Sequence, residues 1–380
     1  MFWRKPPLPT FTATTHFVVL SSTNHTLPTR MATDDLSNKP LAVRTTSSTS
    51  TDSATSQDGA SFDIVKTYRS LLSSDPDMTM PVAAIESLIE LLRVTPSSTA
   101  METVEVVKTQ KALLLDSAPN PLPLLAGADL FEQYLLRSLR GQTAESFDET
   151  KRHLLKNRQL FAARAKSARD NIAVIGSRYI SDRKIVLAAG GSRVVTKILV
   201  HAATSRPNVH FKVIYVMDGS PHCDASVASL REAGLEVETI STSKVAYVLK
   251  DQKDINLVLV GSEVVMQNGG IISRMGTSQL ALLTRYAGGS QKRFFVAAES
   301  HKIVRKTPLW HPQVLRVGVK QKDISKFANV GVDPVGQEAR DWVADRDEVD
   351  YTDPELIDGI VTEQGVKMPS QIWELVDYEK

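Results

Sequence analysis

Two clusters between Ile255 and Arg305 have the residue types and spacing to handle a small phosphorylated molecule. In the first, GSEVVMQNGG at 261–270, Glu263 supplies a carboxylate and Asn268 an amide beside Gly269 and Gly270. A carboxylate there can move a proton or simply face solvent. The glycines let backbone approach a ligand closely, or form an ordinary turn. In the second, Glu299-Ser300-His301-Lys302, Lys302 suits either a phosphate contact or an exposed ion pair with Glu299, and His301 is expected at the surface. A third candidate lies upstream. Ser192, after Gly190-Gly191, reads as the cap of a helix whose free N–H groups favour an anion, with Arg193 adding charge; a plain tight turn is the alternative. Cys223 beside His222 invites a nucleophile reading, but no activating partner is identifiable. No His/Cys/Asp group has metal-ligand spacing, so no metal is expected.

These residues need a scaffold that brings them together. Ile255–Val260 is a short apolar run bounded by Gly261, the pattern of a strand buried in a parallel sheet. Thr277–Tyr286 places Leu280, Leu283 and Tyr286 on one helix face, Gly288-Gly289 ends it, and Phe294–Ala298 is the next strand. Upstream, strands at Ile185–Ala189, Phe211–Met217 and Val237–Ile240 alternate with helices at Ser192–Ala203, Ala225–Ala233 and Ser243–Lys250. The pattern predicts a Rossmann-like, doubly wound α/β domain of about five parallel strands, with ligands outside their carboxyl ends. The first turn is not G-x-G-x-x-G, no acid follows it at the usual distance, and no P-loop occurs. Nicotinamide-dinucleotide and P-loop nucleotide chemistry are therefore not expected.

The rest of the chain divides by composition. Residues 1–59 are expected to be disordered, because Thr45–Ser56 is nearly all Ser and Thr and cannot bury enough surface to offset chain entropy. Residues 60–180 read as an all-helical domain, with stripes at Phe62, Val65 and Leu72, then at Val82, Ile85, Leu88, Ile89 and Leu92. Asp75–Asp77 is expected to cap the second of these helices, with Pro81 in its first turn. Helices over Ser97–Asp116, Leu124–Leu139 and Phe147–Ile180 follow, the last with a basic run from Lys151 to Arg169 read as a solvated face. Residues 181–380 form the α/β domain, interrupted by a charged surface loop at 320–348.

The totals narrow the function class. A hydrophobic share of 42% and a charged share of 23% are those of a soluble globular protein, and a net charge of +2 gives no support for a nucleic-acid partner. A single cysteine excludes an internal disulfide and argues for a reducing compartment. No apolar run approaches the ~18 residues of a membrane span. Residues 1–33 contain Arg4, Lys5 and Arg30 and no acid, a composition shared with mitochondrial presequences, while Met31 is an alternative start. The cytosol is the expected location.

The blocks LVGSEVVMQNGGIISRMGTSQLALL and FFVAAESHKIVR resemble the alpha-subunit family of eukaryotic translation initiation factor 2B. Further similarity runs through DPDMTMPVAAIESLIELL, AGADLFEQYL, NRQLFAARAKSARDNIAVIGSRYISD and the closing segment with its VDYT box. The superfamily also holds methylthioribose-1-phosphate and ribose-1,5-bisphosphate isomerases. Those enzymes use a cysteine just after the first strand and an aspartate in a G-A-D box after the fourth. Here the positions read Gly190 and Gly261-Ser262-Glu263, and the enzymes' N-G-D is Asn268-Gly269-Gly270. The resemblance therefore implies a non-catalytic regulatory subunit of the guanine nucleotide exchange factor for initiation factor 2, with an active sugar-phosphate isomerase as the alternative. It implies a homodimer that joins beta, gamma, delta and epsilon subunits and helps sense the phosphorylated alpha subunit of initiation factor 2, without nucleic acid or membrane. That contact is expected near Thr95, Thr99, Met101 and Thr103. No cofactor is required. Ser192, Arg193, Glu263, Asn268, Gly269, Gly270 and Lys302 would hold a sugar phosphate or nucleoside monophosphate.

Overall fold

Asp63 opens the helical layer: its carboxylate accepts from the Lys66 N–H at 3.0 Å and caps α1 (Ile64–Ser74). The computed structural model describes residues 62–95, 99–139, 152, 158–287, 291–305, 318–321 and 348–377. The 1–59 extension, the start of the long basic helix and nearly all of the 320–348 loop lie outside the described residues. Helix α2 (Met80–Val94) has Pro81 in its first turn as expected, but Thr79 occupies the N-cap, with no capping bond from its side chain. Asp75 does not cap α2. Its Oδ1 accepts from Asp77 N at 2.8 Å and closes its own turn. Helix α3 (Ala100–Asp116) begins where the Thr99 hydroxyl can accept from Glu102 N at 3.2 Å. Helix α4 (Leu122–Leu139) starts earlier than its apolar spacing suggested, because the Asn120 amide oxygen accepts from Leu122 N at 3.2 Å. The apolar stripes of α1–α4 meet in one core containing Leu88, Leu92, Val107, Leu114 and Phe131.

Helix α5 (Arg158–Ser177) leads into the sheet and packs on both α2 and the first crossover helix. The alternation then follows the expected order: β1 (Ile185–Ala189), α6 (Arg193–Ser205), β2 (Lys212–Met217), α7 (Pro221–Glu232), β3 (Glu236–Ser241), α8 (Val245–Asp251) and β4 (Ile255–Gly261). After β4 a hairpin intervenes, β5 (Val264–Val265) and β6 (Ile271–Arg274), before α9 (Thr277–Tyr286) and β7 (Arg293–Ala297). The closing segment adds β8 (Val349–Thr352), β9 (Gly359–Thr362), β10 (Gly365–Lys367) and α10 (Ile372–Asp377).

The main sheet has seven strands in the order β10-β9-β7-β4-β1-β2-β3, and all but β10 run parallel. It is larger than the five strands expected because the closing segment joins its edge. Side chains alternate between two cores. Val186, Ala188, Leu257, Leu259 and Phe295 face α5, α6 and α7. Leu187, Val258, Val260, Phe294 and Val296 face α8, α9 and α10. Two buried faces explain why these strands read as continuous apolar runs. A second, three-stranded antiparallel sheet, β5-β6-β8, was not foreseen; it packs on Leu122 and Ala126 of α4. Residues 60–380 form one compact unit.

Candidate functional site

The strand order reverses between β1 and β4: β2 and β3 extend one way, β7 and β9 the other. In such a sheet the chains leaving these two strands diverge and open a crevice at their carboxyl ends. A cleft of about 490 Å³ lies there. After β1 it is lined by Gly190, Gly191, Ser192 and Arg193, and after β4 by Gly261, Ser262 and Glu263. Glu299 and Lys302 border it after β7, and Ser273, Arg274 and Thr277 from β6 and α9. The helical layer closes the remaining side with Pro76, Met78, Thr79, Met80 and Pro123.

The backbone at the β1 turn is built for glycine. Gly190 and Gly191 have φ of +81° and +61°. A Cβ at Gly191 would sit 2.6 Å from the His222 Cβ and 2.9 Å from its backbone carbon, whereas one at Gly190 would meet nothing within 4 Å. The Gly191 N–H donates to the Tyr215 hydroxyl at 3.0 Å. Ser192 caps α6 as expected, accepting from Val195 N. Gly261 is glycine for a related reason: a Cβ there would overlap the Ser192 side chain.

Electrostatics distinguish the charged groups. Burial alone would raise the Glu299 carboxyl, but the Lys302 ammonium at 2.9 Å and the neighbouring His301 together outweigh it and hold the group down at about 2. Lys302 also donates to the Ser262 carbonyl at 3.0 Å. Of the two alternatives the sequence left open for Lys302, the ion pair forms, but buried instead of exposed: the Glu299 side chain is 1% and the Lys302 side chain 14% exposed. His301 is likewise buried against expectation, with Nε2 3.3 Å from the Thr79 hydroxyl, and burial pushes it down to about 4, so it is neutral at pH 7. Arg169, assigned from sequence to a solvated face, is buried. It donates to the Asp77 carbonyl at 2.8 Å and lies 3.9 Å from Glu299. Arg193 is exposed as a residue, but partial desolvation where its guanidinium lies against the α1–α2 loop lowers its value, and the nearby Arg169 charge lowers it further. The Ser262 hydroxyl is buried and has no hydrogen-bond partner among the described residues. An unmade hydrogen bond of this kind is costly unless something else satisfies it.

Of the sequence candidates, Ser192, Arg193, Glu263 and Lys302 converge on the cleft. Glu263 accepts from the Asn120 amide at 2.8 Å, which ties the β4 exit to the start of α4. Asn268, Gly269 and Gly270 are not among the lining residues. They form the β5–β6 turn, where the Asn268 amide donates to the Tyr351 hydroxyl at 2.8 Å and its oxygen accepts from Gly270 N at 2.9 Å. Gly269 has φ +85° against the Pro369 backbone, and Gly270 lies against the Tyr351 ring. Close backbone approach does occur there, but to the chain's own closing segment. Cys223 is fully buried in the first turn of α7 and its thiol is pushed up by burial, which weakens it as a nucleophile. At the second candidate surface, Thr95 ends α2, Thr99 caps α3 and Met101 is 82% exposed, whereas Thr103 is buried and cannot reach a partner directly. Among the described residues no group of His, Cys, Asp or Glu is placed to hold a metal ion, and no helix is long and apolar enough to cross a membrane.

Sequence reasoning missed Ser262, Ser273, Arg274 and Thr277. A signal existed for the last three, since they sit where a strand ends and a helix with free N–H groups begins. No local signal marked the α1–α2 loop as a cleft wall.

The sequence pattern of the initiation factor 2 subunit family matches residues 73–369, which spans the helical layer, the cleft and the closing segment. The chain belongs to that family. It is 26% identical over 324 residues to translation initiation factor eIF2B subunit alpha of Dictyostelium discoideum, covering 81% of this chain and 94% of the relative. It is also 26% identical over 265 residues to the ribose 1,5-bisphosphate isomerase of Archaeoglobus fulgidus, covering 69% and 76%. The fold is similar to that in the tetrameric eIF2B-beta2-delta2 complex from C. thermophilum, with a TM-score of 0.62 at 19% identity, covering 84% of this chain and 96% of that one.

Proposed function

We propose that the chain is a non-catalytic regulatory subunit of alpha type in the cytosolic guanine nucleotide exchange factor for initiation factor 2. The observation that carries this reading is the pairing of an anion-holding cleft with altered acid–base positions. Ser192, Arg193 and Lys302 border the cleft, but Gly190 and Ser262-Glu263 stand where the superfamily's isomerases are expected to carry a cysteine and an aspartate. Glycine can neither attack nor move a proton, and each lost acid–base group typically costs about 10²–10⁴-fold. The cleft would then serve as a binding site for a sugar phosphate or nucleoside monophosphate.

The α/β layer supplies the homodimer face in this reading. Tyr247 on α8 and Leu282 and Tyr286 on α9 are large, exposed and carried on two neighbouring helices, as a self-complementary patch requires. The helical layer, near Thr99 and Met101, would meet the phosphorylated alpha subunit of initiation factor 2. Native mass spectrometry of the tagged full chain, purified from the cells that make it, should find two copies with beta, gamma, delta and epsilon subunits. Recovery of the chain without them would overturn the assignment.

One observation favours a second reading, an active isomerase: Glu263 still presents a carboxylate to the cleft. Enzymatic turnover of ribose 1,5-bisphosphate or methylthioribose 1-phosphate by the purified chain would establish it; no turnover is expected.

A further inference from the structure

Three consecutive carbonyls of the α1–α2 loop point at guanidinium groups. Arg193, at the start of α6, donates to Pro76 O and also to Met78 O, the latter at 3.3 Å. Arg169 donates to Asp77 O at 2.8 Å and approaches the Asp77 carboxylate at 3.3 Å. The same loop forms a wall of the cleft through Pro76, Met78 and Thr79. The helical layer is therefore fastened across the cleft mouth by two cations.

The two fasteners are not equivalent. Arg169 is buried and lies beside Glu299, so its charge is compensated and its place is fixed. The Arg193 residue is exposed, and no carboxylate lies within ion-pair distance of it among the described residues. Its direct contacts are the two neutral carbonyls, while the carboxylates of Glu299, Asp77 and Asp75 act on it only at longer range. It also stands on the first turn of α6, where the free N–H groups favour an anion, and it borders the cleft that is also lined by Ser262, whose buried hydroxyl has no partner among the described residues. An anion bound there would offer Arg193 a doubly charge-assisted contact, stronger than the bonds it makes to carbonyls.

We infer that Arg193 is a two-position latch: it holds the α1–α2 loop while the cleft is empty and moves to the anionic group of a bound ligand, which releases the loop. This rests on the reading of the cleft as a phosphate-ester site and adds how occupancy is relayed. The loop joins α1 and α2 in the helical layer, so a ligand against the sheet would be felt on a surface it never touches. The coupling works in both directions: a partner that holds the loop down would weaken ligand binding by the same factor.

The test is hydrogen exchange of peptides covering residues 75–79 in the full chain, with and without ribose 5-phosphate or inorganic phosphate, alongside thermal shift. The Asp77 and Met78 amides are hydrogen-bonded within the loop and report its closure. Ligand should raise the melting temperature while speeding exchange at 75–79 about tenfold, the factor that accompanies loss of one charge-assisted hydrogen bond. Arg193→Ala, and Arg193→Lys as a milder change, should show fast exchange without ligand and no further rise with it. A thermal shift with unchanged exchange in the wild type would overturn the latch and leave the binding site standing. No thermal shift with either phosphate would remove the binding site and the latch together.

Discussion

At the scale of single residues, the β1 turn separates conformational demand from space. Gly190 and Gly191 both have positive φ, but only Gly191 lies against another chain segment. Gly190→Ala should cost about 1 kcal/mol, the ordinary penalty for a side chain in the left-handed region. Gly191→Ala adds a clash with the His222 backbone and should cost about 3 kcal/mol. Urea denaturation of the two variants measures the difference; equal losses would mean that His222 gives way. His301 and Glu299 permit a prediction in pH. The folded value of His301, about 4, lies below its ordinary 6.5, so the native state binds fewer protons than the unfolded chain between them. The stability His301 confers is therefore complete above pH 6.5 and lost as pH falls through 4. Glu299, held at about 2 instead of 4.5, continues the loss below that range. His301→Gln keeps a polar partner for Thr79 but does not titrate. From pH 7 to about 5 the wild type should lose on the order of 2 kcal/mol more than this variant. Parallel urea midpoints for the two proteins over that range would show that His301 is not the group responsible.

At the scale of elements, the β5–β6 turn is where a chemically suggestive motif turns out to hold the chain together. Asn268 satisfies Tyr351 of β8 and Gly270 of its own turn, both in partly buried positions. Asn268→Ala should cost about 2–3 kcal/mol and Tyr351→Phe about 1 kcal/mol, since the alanine leaves two groups unpaired. The double variant should fall short of the sum, because both changes remove one shared bond. Strict additivity in the denaturation free energies would refute that bond. The same motif shows what sequence can and cannot disclose. Strands β1, β4 and β7 were legible because burial on both faces leaves unbroken runs such as Ile255–Val260. The hairpin was not, because β5 is two residues long and carries no period of its own. An Asn-Gly-Gly sequence is equally suited to a ligand or to Pro369, and only the tertiary fold decides between them. Ser192, Arg193, Glu263 and Lys302 could be placed at one end of the sheet from topology alone. The burial of Glu299 and His301 could not, since it is imposed by α2 and α5, more than a hundred positions away in the chain.

At the scale of the whole molecule, the question is what makes the helical layer and the sheet behave as one body. Their joint runs through Arg169. Its guanidinium reaches the α1–α2 loop at Asp77 on one side and the buried Glu299 beside β7 on the other. Around it, His301 meets Thr79, and Asn120 meets Glu263. These bridges are polar, and each layer also has its own apolar core, with one smaller cluster shared between α4 and the β5-β6-β8 sheet. Most apolar burial therefore stabilises the layers separately, and the buried charges add to the α4 contact in coupling them. Removing one member of a buried ionic group typically costs about 3–5 kcal/mol, because the remaining charge stays desolvated. Arg169→Met fills the volume but leaves Glu299 with Lys302 as its cation and frees the Asp77 carbonyl. The wild type should melt in a single calorimetric transition over the two layers. Arg169→Met should lower the transition and split it into two, with the helical layer melting first because its main core is joined to the sheets only through α4 and α5. Glu299→Gln in the same background should deepen the loss, because it leaves the buried Lys302 ammonium without its carboxylate. A single, merely shifted transition in Arg169→Met would place the coupling in the apolar contacts of α5 with α2 and α6 instead of in the charges.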